Sequence, residues 1–309
     1  MEKMSGFLTL PDSNFSLFMR RWIPKDAPVI GIVLIIHGIA EHSRRYAPFA
    51  ERLTEAGYVV YAYDQRGHGK TIQKPEDQGD IGKDGWKLLS QDVHGMITVI
   101  QGDYADLPLF IFSHSLGTLV TQSYLSAYRD QQEIAGVILS GPVGEAKPRL
   151  IFGRFLSRVL TLLKGKQSKS KLLQTMSFQN FNAKCAEQRT TYDWLTRDTT
   201  IVDSYIQDEC CGHACTTWFY HELAVAVMMS QSQSKAEQIP KDIPVLIFSG
   251  SMDPVTQYGR VAENLNRRYR EAGIKDVTLR IYAEGRHESI NEINRDEVIA
   301  DIIGWLDSK

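Results

Sequence analysis

Residues 29–36 read Val-Ile-Gly-Ile-Val-Leu-Ile-Ile, eight positions without a polar side chain. A strand with one face in water alternates apolar and polar residues. An unbroken β-branched run instead belongs to a strand covered on both faces, as in parallel sheets flanked by helices. Segments of the same kind recur at 58–63, 107–113, 135–140, 244–249 and 277–282. Helical spacings lie between them at 48–56, 86–100, 116–128, 257–272 and 292–306, the first stopped by Gly57 as a helix C-cap. Strands that alternate with helices in this way require parallel pairing through right-handed crossovers. Two earlier stretches, 6–10 and 15–22, predict an antiparallel opening ended by Pro24.

Residues 142–240 break the rhythm. A structureless connection of that length does not suit a compact domain, so the segment predicts helices of its own, at 149–163, 186–197, 202–207 and 216–230. It leaves the sheet just past the end of the sixth strand, where α/β folds place their ligand sites. The expectation is therefore a core at 1–141, a helical cap at 142–240 and the rest of the core at 241–309.

The stretch Phe110-Ile111-Phe112-Ser113-His114-Ser115-Leu116-Gly117-Thr118 carries a strand through a small-residue turn straight into a helix. That is the context of a nucleophile elbow, in which a serine is held exposed on a strained turn at the positive end of a helix. The usual pattern is Gly-x-Ser-x-Gly, and Ser113 stands here for the first glycine. On this motif alone, an N-cap serine at a βα junction is the alternative reading of Ser115. A serine nucleophile needs a base, and the base needs an orienting carboxylate. In chain order the partners come as acid and then histidine. Asp253 follows the 244–249 strand and His287 follows the 277–282 strand, and no other histidine lies beyond Asp253. Each alone reads as a turn residue. Three in the right order, each past a strand's C-terminal end, point to Ser115, Asp253 and His287 as a triad.

After the 29–36 strand comes His37-Gly38-Ile39-Ala40-Glu41-His42-Ser43-Arg44-Arg45-Tyr46, where half of an oxyanion hole is expected from the Ile39 N–H, with Leu116 N–H as the other donor. Together with Asp64-Gln65-Arg66-Gly67-His68-Gly69, this stretch closely resembles the monoacylglycerol lipase and bacterial lysophospholipase-like family of α/β hydrolases. The resemblance covers 29–140 and 243–305. It implies an α/β-hydrolase fold, a mostly parallel sheet flanked by helices with a helical cap inserted after the sixth strand. It also implies an acyl-enzyme at Ser115, Asp253 and His287 as its partners, and Ile39 and Leu116 as oxyanion donors. Glu41 and Arg45 would join a polar network under the oxyanion loop and bind substrate at its polar end. The substrate it suggests is a monoacylglycerol. An esterase or aminopeptidase of the same fold acting on a small non-lipid substrate is the alternative, and a non-catalytic binding protein a more distant one.

Other signals narrow the class. A formal net charge of -2, with 43% hydrophobic and 23% charged residues, supplies no field for nucleic acid, so a small-molecule acyl ester is the expected partner. The opening residues lack a basic start followed by an apolar stretch, and four cysteines suit a reducing interior, which predicts a cytoplasmic protein. Cys210-Cys211-Gly212-His213-Ala214-Cys215 suggests zinc, but no second ligand pair follows in the chain; the expectation is no metal and no cofactor. His68 sits on a glycine-rich turn before the nucleophile and reads as structural. Residues 149–166 combine an apolar stripe with Arg149, Arg154, Arg158, Lys164 and Lys166, which reads as a cap helix packed on the core, with peripheral lipid contact as the alternative. The oligomeric state is not legible.

Overall fold

The computed structural model describes residues 1–11, 15–25, 27–128, 134–185 and 187–309. Eight strands form one sheet in the order β1-β2-β4-β3-β5-β6-β7-β8. They are β1 (Glu2–Thr9), β2 (Ser16–Ile23), β3 (Gly31–Ile36), β4 (Tyr58–Tyr63), β5 (Leu109–His114), β6 (Gly136–Ser140), β7 (Val245–Gly250) and β8 (Val277–Tyr282). β1 pairs with β2 and β2 with β4 antiparallel, while every pairing from β4 through β8 is parallel. The strands of the unbroken apolar runs occupy the middle of the sheet, and every residue of β3, β4, β5, β6 and β7 is buried.

Helices close both faces. α1 (Ala47–Glu55) and α10 (Arg295–Asp307) cover one, where Phe49, Leu53, Val298 and Ile302 pack on Val33, Ile35 and Phe112. α2 (Gly85–Asp103), α3 (Leu116–Ala127) and α9 (Arg260–Glu271) cover the other, against Ile32, Leu34 and Ile36. Successive β3 side chains thus enter opposite cores, and each such aliphatic burial stabilises by about 1.5–3 kcal/mol.

Between β6 and β7 the chain forms α4 (Lys147–Lys164), α5 (Lys171–Phe178), α6 (Thr199–Gln207), α7 (Thr217–Ser230) and the single turn α8 (Gln233–Ala236). The insertion is helical and follows the sixth strand, as expected, but one element differs. The helix expected at 186–197 begins on Ala186, outside the described residues, and none forms over 187–197. Asp193 takes the Thr190 N–H and hydroxyl at 2.6 and 2.8 Å, and Asn182 Oδ1 takes the Trp194 N–H at 2.8 Å. Short polar side chains thereby capture the backbone donors that a helix would need. α5 was not expected; Ser170 caps it by accepting the Leu173 N–H. Among the described residues no helix is long and apolar enough to cross a membrane, and all four cysteines are free.

Candidate active site

Ser115 sits between β5 and α3 with φ 50° and ψ -116°. A non-glycine residue there is strained by about 1–3 kcal/mol and persists only where its surroundings fix it. Its N–H donates to Ser140 O at 2.9 Å, and its own carbonyl accepts from the Thr118 N–H and hydroxyl at 2.9 and 2.7 Å. The close approach of α3 to β3 rests on Gly117, where a Cβ would fall 2.3 Å from Ile36 O. Ser113 is not the contact point; its hydroxyl donates to Ile138 O across the strands at 3.2 Å, which accounts for serine where glycine is usual.

Asp253 and His287 stand on the loops after β7 and β8. His287 Nδ1–H donates to Asp253 Oδ2 at 2.9 Å, which leaves Nε2 as the basic nitrogen. Both side chains are buried, and Asp253 is further fixed by accepting the Val255 N–H. Burial alone would depress the histidine, but the Asp253 charge and hydrogen bond, aided by Glu288 and Glu41, hold its pKa above the ordinary value. Ser115 and His287 line one cavity of about 430 Å³, counted to its mouth. No hydrogen bond joins the two in this structure, whereas the Asp253–His287 bond is formed. Catalytic contacts of this kind often tighten only when substrate arrives.

The imidazole of His287 is clasped between two rings. His114 lies 4.6 Å away between centroids and Trp194 5.3 Å away. Burial and the neighbouring His287 push His114 down to about 4, so it stays neutral beside His287. At β6's end, Gly141 has φ +58°, and a Cβ there would meet the His287 ring at 2.9 Å. The insertion also holds the histidine loop by its backbone. His287 N–H donates to Trp194 O at 3.3 Å and Glu288 N–H to Leu195 O at 2.7 Å. Arg286 donates to the carbonyls of Asp193 and Thr196, Arg197 to Glu292, and Arg295 to Asp198.

Ile39 lines the cavity, and Leu116 opens α3 with its side chain buried in the core. Glu41 and Arg45 line the cavity too, but their polar atoms are engaged by the protein. Glu41 Oε1 accepts the Gly38 N–H at 2.6 Å and the Tyr46 hydroxyl at 2.8 Å, and Oε2 accepts from Arg45 at 2.7 Å. Arg45 forks onto both oxygens of Glu288 at 2.7 Å each. Arg45 holds the Glu288 carboxyl below the usual range despite burial. A charged chain therefore runs from the loop after β3 to the residue after His287. Sequence reasoning missed Glu288 and His114, although they adjoin His287 and Ser115 in the chain, which was a usable signal.

Of the apolar residues of the insertion, Phe178 and Trp194 wall the site, joined by Tyr192, Leu195 and Tyr205. Phe181 packs behind Trp194, Phe219 is buried in the sheet-side core, and Phe152 and Phe155 are exposed on α4. Trp218 lies elsewhere, donating to Lys83 O.

Residues 27–294 match the family described as Hydrolase_4, serine aminopeptidase S33. The chain is 26% identical over 285 residues to the monoacylglycerol lipase of Mycolicibacterium smegmatis, covering 92% of this chain and 90% of that protein. It is 31% identical over 304 residues to a monoglyceride lipase homolog of Monkeypox virus, covering 95% of each. In three dimensions it resembles a highly thermostable carboxyl esterase from Bacillus coagulans in complex with glycerol, with a TM-score of 0.90, 26% identity, and 100% of this chain and 99% of the other covered.

Proposed function

Because the chain belongs to the serine aminopeptidase S33 family of α/β hydrolases, and is a serine hydrolase, we propose that it cleaves monoacylglycerols through an acyl-enzyme at Ser115. Ser115 Oγ attacks the ester carbonyl while His287 Nε2 takes its proton. Asp253 keeps the Nδ1–H in place and stabilises the imidazolium that forms. The N–H groups of Ile39 and Leu116 receive the carbonyl oxygen as it becomes an oxyanion, each worth about 2.7–4 kcal/mol in the transition state. The imidazolium returns its proton to the departing alcohol. Water activated by the same nitrogen then releases the fatty acid. The reaction requires no cofactor.

The observation that carries the substrate reading is the polarity of the cavity around Ser115. Phe178, Trp194 and Leu195 supply an apolar side, and the linked carboxylates and guanidinium of Glu41, Arg45 and Glu288 supply a polar one. An acyl chain fits the former and a glycerol leaving group the latter. Each methylene buried contributes about 0.8 kcal/mol, close to a fourfold gain in kcat/KM per added carbon until the apolar side is full. Medium or long monoacyl esters are expected to outrun acetyl esters and triglycerides. Specificity constants across C2 to C16 esters, monoglycerides and triglycerides test this. A maximum at acetyl, or triglycerides turned over faster than monoglycerides, would reduce the reading to a general small-ester hydrolase.

Residues 142–240 act in this proposal as a cap that also meets lipid. On α4 and the start of α5, Ile151, Phe152, Phe155, Leu162, Leu163 and Leu172 are exposed, interleaved with arginines and lysines. Such a face suits the surface of an anionic bilayer. Co-sedimentation with vesicles containing anionic lipid, lost in a Phe155→Glu/Leu163→Glu variant, is the expected result.

A further inference from the structure

His68 lies on the Gly67-His68-Gly69 turn after β4, and His213 and Cys215 on the loop before α7, far apart in the chain. The fold joins them. The Thr216 N–H donates to Gly79 O at 3.0 Å, and the Gly79 N–H to Gly67 O at 2.7 Å, so the two loops are laced together backbone to backbone. As a result His68, His213 and Cys215 present ring nitrogens and a thiol that all lie within 4.8 Å of one another.

His68 is oriented as a metal ligand would be. Its Nδ1 lies 2.9 Å from Arg66 O, and because a carbonyl can only accept, Nδ1 carries the proton and Nε2 is left with its lone pair. That Nε2 is buried with no hydrogen-bond partner. Both ring nitrogens of His213 are likewise shut off from solvent, with the Cys210 backbone the nearest polar group to its ring. Buried imidazole nitrogens left unpartnered beside one buried thiol call for something to fill the space between them. A proton on the far nitrogen held by a backbone carbonyl is the usual outer arrangement of a metal-binding imidazole.

We propose that His68, His213 and Cys215 form a zinc-binding site that fastens the insertion to the loop after β4. Two imidazoles and a thiolate are a borderline-soft set that suits Zn²⁺. Three atoms no more than 4.8 Å apart have a common point within about 2.8 Å of each (4.8 Å over √3). Zinc bonds of about 2.0–2.3 Å thus require each ligand to close by well under 1 Å. Burial raises the Cys215 thiol. Zn²⁺ displaces that proton as the Zn–S bond forms, one proton released per ion bound. A fourth position remains for water.

The site is independent of ester hydrolysis, so its test reads metal rather than turnover. The full-length protein is stripped with chelator and dialysed, then titrated with Zn²⁺ and assayed by elemental analysis. Co²⁺ serves as a spectroscopic probe through its thiolate charge-transfer band in the near ultraviolet. The expected result is about one Zn²⁺ per chain and a melting temperature raised by roughly 4 °C at a hundredfold excess over Kd. Both are to be lost in His213→Ala and Cys215→Ser. Cys215 is fully buried, so its substitution also disturbs packing; His213 lies on a partly exposed loop, and its variant alone decides the matter. The proposal is overturned if the wild type retains no zinc after dialysis. It is equally overturned if His213→Ala binds as the wild type does, or if Cys211→Ser, in the neighbouring His42–Asp208–Cys211 cluster, abolishes binding instead.

Discussion

Replacing Glu288 with Gln tests whether the charged chain beneath the cavity acts on the base. The carboxylate receives two Arg45 N–H bonds at 2.7 Å, with side-chain exposures of 4% for Glu288 and 12% for Arg45. Removing one partner of a buried pair costs about 3–5 kcal/mol; glutamine keeps the shape and one acceptor, so about 3 kcal/mol is expected. In a chain of this size that lowers the melting temperature by roughly 5 °C. The kinetic effect has a definite sign. Glu288 is among the charges that raise the His287 pKa, and His287 accepts a proton only when neutral. Activity therefore falls as pH drops through that pKa, and neutralising Glu288 moves the acid limb of kcat/KM to lower pH. Turnover at the optimum should fall in the same variant, because the oxyanion loop and the histidine loop are no longer tied through Arg45. The assay is a pH profile of p-nitrophenyl ester hydrolysis, run well below the melting transition. An acid limb that stays in place or moves up, with unchanged stability, would refute the coupling.

Ser115→Ala is expected to abolish both hydrolysis and labelling by a fluorophosphonate while circular dichroism stays native; turnover above a trace would identify another nucleophile. Asp253→Asn and His287→Ala should each lower kcat by several orders of magnitude, and the double variant should lose little beyond His287→Ala, since residues acting as a unit are non-additive. If the losses multiply in single-turnover assays, Asp253 is misassigned. Stability should fall on acidification from about pH 6.5 to 4. His114 is held at about 4 in the fold and returns to about 6.5 when unfolded, so the unfolded state takes up the proton first in that window, at about 1.4 kcal/mol per pH unit. Urea denaturation at three pH values should show a shallower slope in His114→Asn by that amount; an unchanged slope shows that His114 is not buried neutral. His287, whose pKa is raised, contributes in the opposite sense, stabilising most below about 6.5 and losing that contribution as pH rises through its folded value.

What could be read in advance followed from the range of the interaction concerned. β4 was located to the residue because Tyr58 to Tyr63 are all buried and Gly57, at φ +95°, ends the preceding helix abruptly. The helix expected from 257 begins at Arg260 instead, because Gln257 and Tyr258 take φ of +51° and +63° on the loop that carries Asp253. The order and setting of Ser115, Asp253 and His287 were legible since each is fixed by its own strand end, and the structure joins the last two by a hydrogen bond. Arg45 and Glu288 are 243 positions apart, and nothing in either neighbourhood announces their pairing. The same holds for His68 with His213. The turn around Thr190 and Asp193 was misread because apolar spacing outweighed the local competition of short polar side chains for backbone donors.

The bonds between the insertion and the histidine loop bear on how such a protein can diverge. Trp194, Thr196 and Arg197 grip residues about ninety positions further on, in a segment that is formally part of the sheet. Specificity cannot then be exchanged as a cassette cut at 142 and 240. A transplanted insertion with another residue at 197 would leave Glu292 without its guanidinium partner, and one with a different backbone course at 193–196 would take the carbonyls away from Arg286 and slacken the imidazole, so the recombinant would lose turnover before it gained a new substrate. Heritable change in this protein must pass through paired substitutions across that seam, and a library that randomises both sides together should yield active variants far more often than one that randomises the insertion alone.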